Sequence, residues 1–293
     1  MSEGKPSRTA RAKGVAARGQ QWVETADPAS KTGVTVGWFR RYAAADGQLY
    51  AVLLTAYVFL TVLPAALVMA SYMDTNPDAL SNHMINRLGL RGATADLIHG
   101  VLSGTSGHKL SAALIALGSV AFFGLGIGRV LQLAHSRAWG IDLGKARIRD
   151  QGRYTSVLLA ILAAILVYTF ETKLLQGQPK WIGWAVAPLW LAALLFFFVW
   201  APRLLLHHRV TRRQVVPGAV FTVLGLLGTR ALSQFLLVNW LEWYGKNYGG
   251  FGIVMALFFW ITIPATILVL AAALSPALAH RRDLREGRTP TRS

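Results

Sequence analysis

Apolar residues in this chain come in long runs separated by short polar connections. Six runs stand out, at about 49–71, 110–128, 155–175, 182–202, 215–238 and 251–279. Each is close to or above the ~20 residues that an α-helix needs to cross a bilayer core of ~30 Å. The pattern predicts an all-α polytopic membrane protein, a bundle of six transmembrane helices. Residues 1–33 carry no apolar period and read as a disordered basic segment, and residues 281–293 as a disordered basic tail. The membrane domain is expected over 34–280.

Between the runs the pattern changes. Val34, Val36, Trp38, Phe39 and Tyr42 stand beside Arg40 and Arg41. They suit either a helix lying at the membrane interface or a plain lead-in to the first span. In the connection 72–109, Leu80, Met84, Ile85 and Leu88 recur at helical spacing, followed by Leu97, Ile98, Val101 and Leu102. This predicts two short amphipathic helices in the first external connection, split near Gly89–Gly92. After the second run the apolar period continues to Trp139, so that helix should extend past the membrane. Pro64, Pro188 and Pro264 lie inside runs and are the candidate helix kinks.

Charge orients the bundle. Lys and Arg gather in every second connection: 23 of the 30 basic residues lie before run 1, between runs 2 and 3, between runs 4 and 5, and after run 6. The positive-inside rule then places both termini in the cytoplasm. The net charge of +17 follows from this sorting and does not require nucleic acid as a partner. The expected partners are membrane lipids, including anionic head groups at the cytoplasmic face; association into a homo-oligomer stays open. Residues 1–33 hold no apolar signal core, so run 1 is expected to act as an uncleaved insertion signal. Charged residues are only 15% of the chain, against about 25% for a typical soluble domain.

Candidate chemistry is sparse. There is no cysteine, which removes disulfides, thiolate metal sites and cysteine nucleophiles. His207 and His208 are adjacent and so do not share a helix face. No metal-ligand spacing, nucleotide loop or nucleophile elbow is present, so neither a metal nor a cofactor nor catalysis is expected. Asp142 and Asp150 sit among arginines and read as solvated surface charges. Arg230 is the sharpest feature, a cation inside run 5. Unless it pairs, snorkels or faces water, it costs at least ~2.5 kcal/mol there. Gln234 lies one turn later, and Glu171 in run 3 is the candidate partner, giving an intramembrane polar cluster. It reads either as a structural ion pair or as a site for an anionic group. Arg129, Gln132 and His135 at the cytoplasmic end of span 2 read as interface anchors or as the lining of a substrate vestibule.

Three segments carry a resemblance. Ala56-Tyr-Val-Phe-Leu-Thr-Val-Leu-Pro64 is similar to an aromatic-rich run ending in Ser-x-Phe-Pro, with Thr61 and Leu63 at the serine and phenylalanine positions. Gly128-Arg-Val-Leu-Gln-Leu-Ala-His-Ser-Arg-Ala-Trp139 is similar to Arg-x-Leu-x-x-Ala-x-x-x-x-Trp. Pro217-Gly218-Ala219, Tyr248-Gly249 to Gly252 and Trp260 follow in order. Over about 38–280 the chain resembles the YihY/BrkB family of bacterial inner-membrane proteins, also called envelope integrity proteins and once labelled ribonuclease BN. It departs at Ala271-Ala-Ala-Leu-Ser275, where Ala273 stands at the position of the family's usual glutamate. The resemblance implies six helices with cytoplasmic termini and an envelope-related role. On the residues themselves two functions compete: binding or transport of an anionic amphiphile or lipid, and a non-catalytic envelope scaffold. A membrane-bound hydrolase or nuclease is remote.

Overall fold

The computed structural model describes residues 30–72, 96, 109–144, 150–161, 163 and 180–286. Every regular element among them is an α-helix: α1 (Lys31–Ala44), α2 (Gly47–Tyr72), α3 (Lys109–Ala138), α4 (150–161), α5 (Lys180–Leu205) and α6 (Arg212–Arg285). The amphipathic helices expected within 72–109, and Glu171, lie outside the described residues. By length and composition three helices can cross a membrane, carrying Leu117–Trp139, Val186–Leu205 and Arg212–Arg285; a fourth is added if α1 and α2, bent by 62° at their junction, count as one span.

α6 corrects the expected boundaries. Its 74 residues would reach about 110 Å if straight. Gly249 breaks it, at φ 60 and ψ −144, a backbone region essentially closed to side chains. The arms before and after it, α6a and α6b, fold back on each other: Leu241 packs with Ala256, the rings of Trp240 and Trp260 are 5.9 Å apart, and Ser275 Oγ accepts from Gly218 N at 3.1 Å. The connection expected over 239–250 is therefore one residue long. Asn239, Glu242, Lys246 and Asn247 interrupt the apolar run without interrupting the helix. α6b also continues to Arg285, into the segment expected to be disordered, where Arg282 and Arg285 complement the negative end of the helix dipole. α1 likewise starts at Lys31, capped by Ser30, whose Oγ accepts from Gly33 N at 2.9 Å. Helix assignment runs unbroken through Pro64, Pro188 and Pro264.

The core is built where helices cross. Tyr50, Ala51 and Leu54 of α2 meet Ile127, Val130 and Ala134 of α3 and Ala265 and Val269 of α6b. α1 packs on this body: Trp38 donates its indole N–H to the Leu270 carbonyl at 2.7 Å, and its ring stands edge-on to Phe221. α4 is clamped between α3 and α5. Tyr154 and Val157 pack on Ala201 and Leu205. On the α3 side Gly128 is the contact point, since a Cβ there would come within 2.9 Å of the Tyr154 Cβ.

Two helix ends face each other beside α4. α3 stops in a Schellman motif: Gly140, at φ 63, donates to Arg137 O, and Ile141 N donates to Ser136 O at 2.8 Å. α5 stops the same way, with His207 N donating to Leu204 O and His208 N to Arg203 O at 2.8 Å. The left-handed position is His207, φ 57, and His208 follows at φ 59. Trp139, Leu206, Val210 and Val215 fill the space between the two turns.

Candidate functional site

The last turns of α3, the turn that follows them and the start of α4 line a cleft of about 830 Å³ at the C-terminal end of α3. Its lining includes Arg129, Gln132, Ser136, Arg137, Asp142, Asp150 and Tyr154. This is within the usual volume of a small-molecule site, which holds a few placed polar groups.

Gln132 forms the floor. The last carbonyls of a helix have no intrahelical partner. Leu205 O, at the end of α5, receives the Gln132 Nε2 hydrogen at 2.8 Å. The Gln132 Oε1 accepts from the Tyr154 hydroxyl. One buried amide thus joins α3, α4 and α5.

Asp150 forms the wall. It is 4% exposed, which corrects the expectation of a solvated surface charge. Its Oδ1 accepts from Arg153 Nη1 at 2.6 Å and from His207 Nε2 at 2.8 Å. The second partner arrives from 57 residues downstream in sequence. Asp142 remains exposed and caps its own turn through Gly144 N at 2.7 Å. Tyr154 senses the whole group: burial first, then the charge of Asp150, push its phenol up, while Arg129 and Arg153 pull it down.

Arg129 is exposed at the mouth. It belongs to a stripe along one side of α3, with Leu114, Gly118, Phe122 and Leu133, all exposed. The cleft therefore opens sideways onto an apolar helix face. Arg137 is engaged elsewhere: it pairs with Asp46 in the α1–α2 turn, and its guanidinium stands 5.6 Å over the Tyr50 ring.

The structure separates the three residues that the sequence placed together at the end of span 2. Arg129 and Gln132 line the cleft. His135 points away, into a cavity of about 30 Å³ bounded by Phe197, Phe198, Thr222 and Ser275. It is buried and donates Nδ1–H to the Leu131 carbonyl at 2.8 Å. Of the intramembrane cluster, Arg230 and Gln234 are both exposed on α6a, one turn apart. Asp150, Tyr154 and His207 escaped sequence reasoning. Helical spacing from Arg129 and Gln132 was signal enough for the cleft side of α3, but nothing local marks Asp150 as buried.

A comparison with protein-family models matches residues 38–293 to virulence factor BrkB. The chain belongs to the BrkB family. No curated protein and no solved structure matches it. For this BrkB protein the family assignment, the all-helical fold and the apolar helices agree on a membrane protein. At the position of the resembled family's glutamate, Ala273 is 1% exposed and packs with Ala45, Ala138 and Ala272. No side chain larger than alanine belongs to that cluster of four.

Proposed function

We propose that this BrkB-family protein is a six-span protein of the bacterial cytoplasmic membrane, with both termini inside, that binds the anionic head group of an amphiphile in the cleft. Counting α6a and α6b separately supports the span number, and the sorting of basic residues supports the orientation. The observation that carries the binding role is Arg129. It stands at the mouth of a half-polar cleft and on an apolar exposed stripe, so one molecule can place its phosphate at the guanidinium and its chain along Phe122 and Gly118. A guanidinium is the side chain best matched to phosphate oxygens. An envelope role follows from holding or moving such a lipid.

Lipid retention tests this. The protein is purified in mild detergent from membranes rich in phosphatidylglycerol, and bound lipid is measured by native mass spectrometry. Wild type should retain phosphatidylglycerol and Arg129→Ala should lose most of it. Equal retention at equal folded yield would overturn the reading.

The scaffold reading has one observation in its favour. The cavity at His135, of about 30 Å³, holds little more than a single water. So little room beside His135 gives a lipid chain no path at that point among the described helices.

A further inference from the structure

We propose that the cavity beside His135 is a binding site for one water molecule, which gives its hydrogens to His135 on α3 and to acceptors on α5 and α6a. The site is separate from the cleft and shares no lining residue with it.

The imidazole sets the demand. His135 sits where α3, α5 and both arms of α6 meet, and it is 9% exposed. Its Nδ1 lies 2.8 Å from the Leu131 carbonyl. A carbonyl only accepts, so Nδ1 carries the hydrogen, and in the neutral ring Nε2 is then a bare acceptor. Leu131 is the one hydrogen-bond partner of this ring among the described residues.

Two more acceptors belong to the same cavity. On α5, Pro202 has no N–H to give to the carbonyl four residues back, so Phe198 O lacks its helix donor. Residues four apart share a helix face, and Phe198 and Pro202 both line the cavity. On α6a, Thr222 gives its hydroxyl hydrogen to Gly218 O at 2.9 Å, which leaves the lone pairs of Oγ1 open. The donors nearby are already used. Ser275 Oγ gives its hydrogen to Val215 O at 3.4 Å and takes that of Gly218 N at 3.1 Å.

Acceptors without donors call for a ligand that brings hydrogens, and size and charge decide which. A volume of about 30 Å³ has room for a water and too little for an organic amine. An ammonium ion fits by size, but no carboxylate lines the cavity to balance a buried cation. Water brings two hydrogens and no charge, and buried waters characteristically satisfy polar groups that the protein leaves unmet. Such a water ties α3 to α5 a second time, beside the bond from Gln132 to Leu205 O.

In the test the full chain in mild detergent receives a brief X-ray pulse, and side-chain oxidation is read by mass spectrometry. The oxidising radicals form from water, so a buried ring is modified where a water is lodged against it. His135 and Phe198 should be oxidised in the wild type. Trp139, one turn further along α3, is only 6% exposed and should stay largely unmodified, although indole is the easier ring to oxidise. His135→Leu removes the acceptor and should abolish most of the oxidation of Phe198. His135→Gln puts an acceptor back near the place of Nε2 and should restore it. Thr222→Val, close in volume, should lower the oxidation of His135. Size exclusion establishes that each variant is folded; if His135→Leu is not, the His135 signal in Thr222→Val decides alone. Oxidation of His135 no greater than that of Trp139 overturns the proposal. So does a Phe198 signal equal in His135→Leu and His135→Gln, or a His135 signal unchanged by Thr222→Val.

Discussion

The Tyr154 hydroxyl donates to the side-chain carbonyl of Gln132, while the amide end of Gln132 caps the Leu205 carbonyl at 2.8 Å. A buried group that loses its partner costs its desolvation, whereas a pair removed together costs much less. Tyr154→Phe leaves one acceptor unmet and should destabilise by about 1 kcal/mol. Gln132→Leu strands both the Tyr154 hydroxyl and the Leu205 carbonyl and should cost about 2–3 kcal/mol. In the double variant the Tyr154 part should vanish, so the effects should fall short of additivity. Heat-induced loss of the monodisperse peak on size exclusion measures the order; strict additivity would refute the shared bond.

Gly249 should tolerate no side chain. At φ 60 and ψ −144, Gly249→Ala should cost about 1–3 kcal/mol by the same thermal assay. Because the chain has no cysteine, the hairpin is also directly testable. Leu241→Cys with Ala256→Cys should join on oxidation, while Leu241→Cys with Ala277→Cys should not. Equal cross-linking of both pairs would argue against two packed arms.

The helices were legible because their apolar runs are long and their basic connections sorted. The hairpin turn was not. Polar residues such as Asn239 and Lys246 look like a connection in a hydropathy pattern, yet each fits a helix whose face is exposed, and only the backbone of Gly249 marks the break. Half of the cleft was legible. Arg129 and Gln132 fall on one side of α3 by helical period, while His135, three residues on, rotates off it. Asp150 was illegible in principle: it reads as one more charge among arginines until the turn at His207, far along the chain, covers it.

Ala273 should be irreplaceable by the glutamate that the resembled family carries. Its buried neighbours Ala45, Ala138 and Ala272 carry no polar side chain, and Trp38 and Tyr42, which pack against the cluster, carry no positive charge. Ala273→Glu buries an unpaired carboxylate and should cost about 3–5 kcal/mol, seen as lost folded protein. Ala273→Ser, close in volume, should fold. A stable Ala273→Glu variant would mean that a cation is within reach of this cluster.

Topology is the direct check on six spans. Reporter fusions after Ser293 and within 140–150 should read cytoplasmic, and fusions near 90 and 178 external. An external C-terminus would sink the six-span arrangement and move the cleft to the wrong face for cytoplasmic head groups.

Arg230 is exposed on α6a and lies seventeen residues past Arg213, about 26 Å along the helix. That climb nearly crosses a hydrocarbon core of ~30 Å. If span 3 rises outward from Thr155, Glu171 makes a similar climb and arrives at the same depth. A charge at that level is retained only with a partner, with water or at the interface. We therefore expect Arg230 and Glu171 to act as a pair. Arg230→Ala and Glu171→Ala should each lower the amount of folded protein in the membrane, and the double variant should recover part of the loss, because neither charge is then left alone. If Arg230 instead serves a bound anion, Arg230→Ala should fold normally and lose lipid retention, with Glu171→Ala without effect. Single variants that both fold and both retain lipid would remove the two roles together and leave Arg230 as a side chain reaching the outer interface.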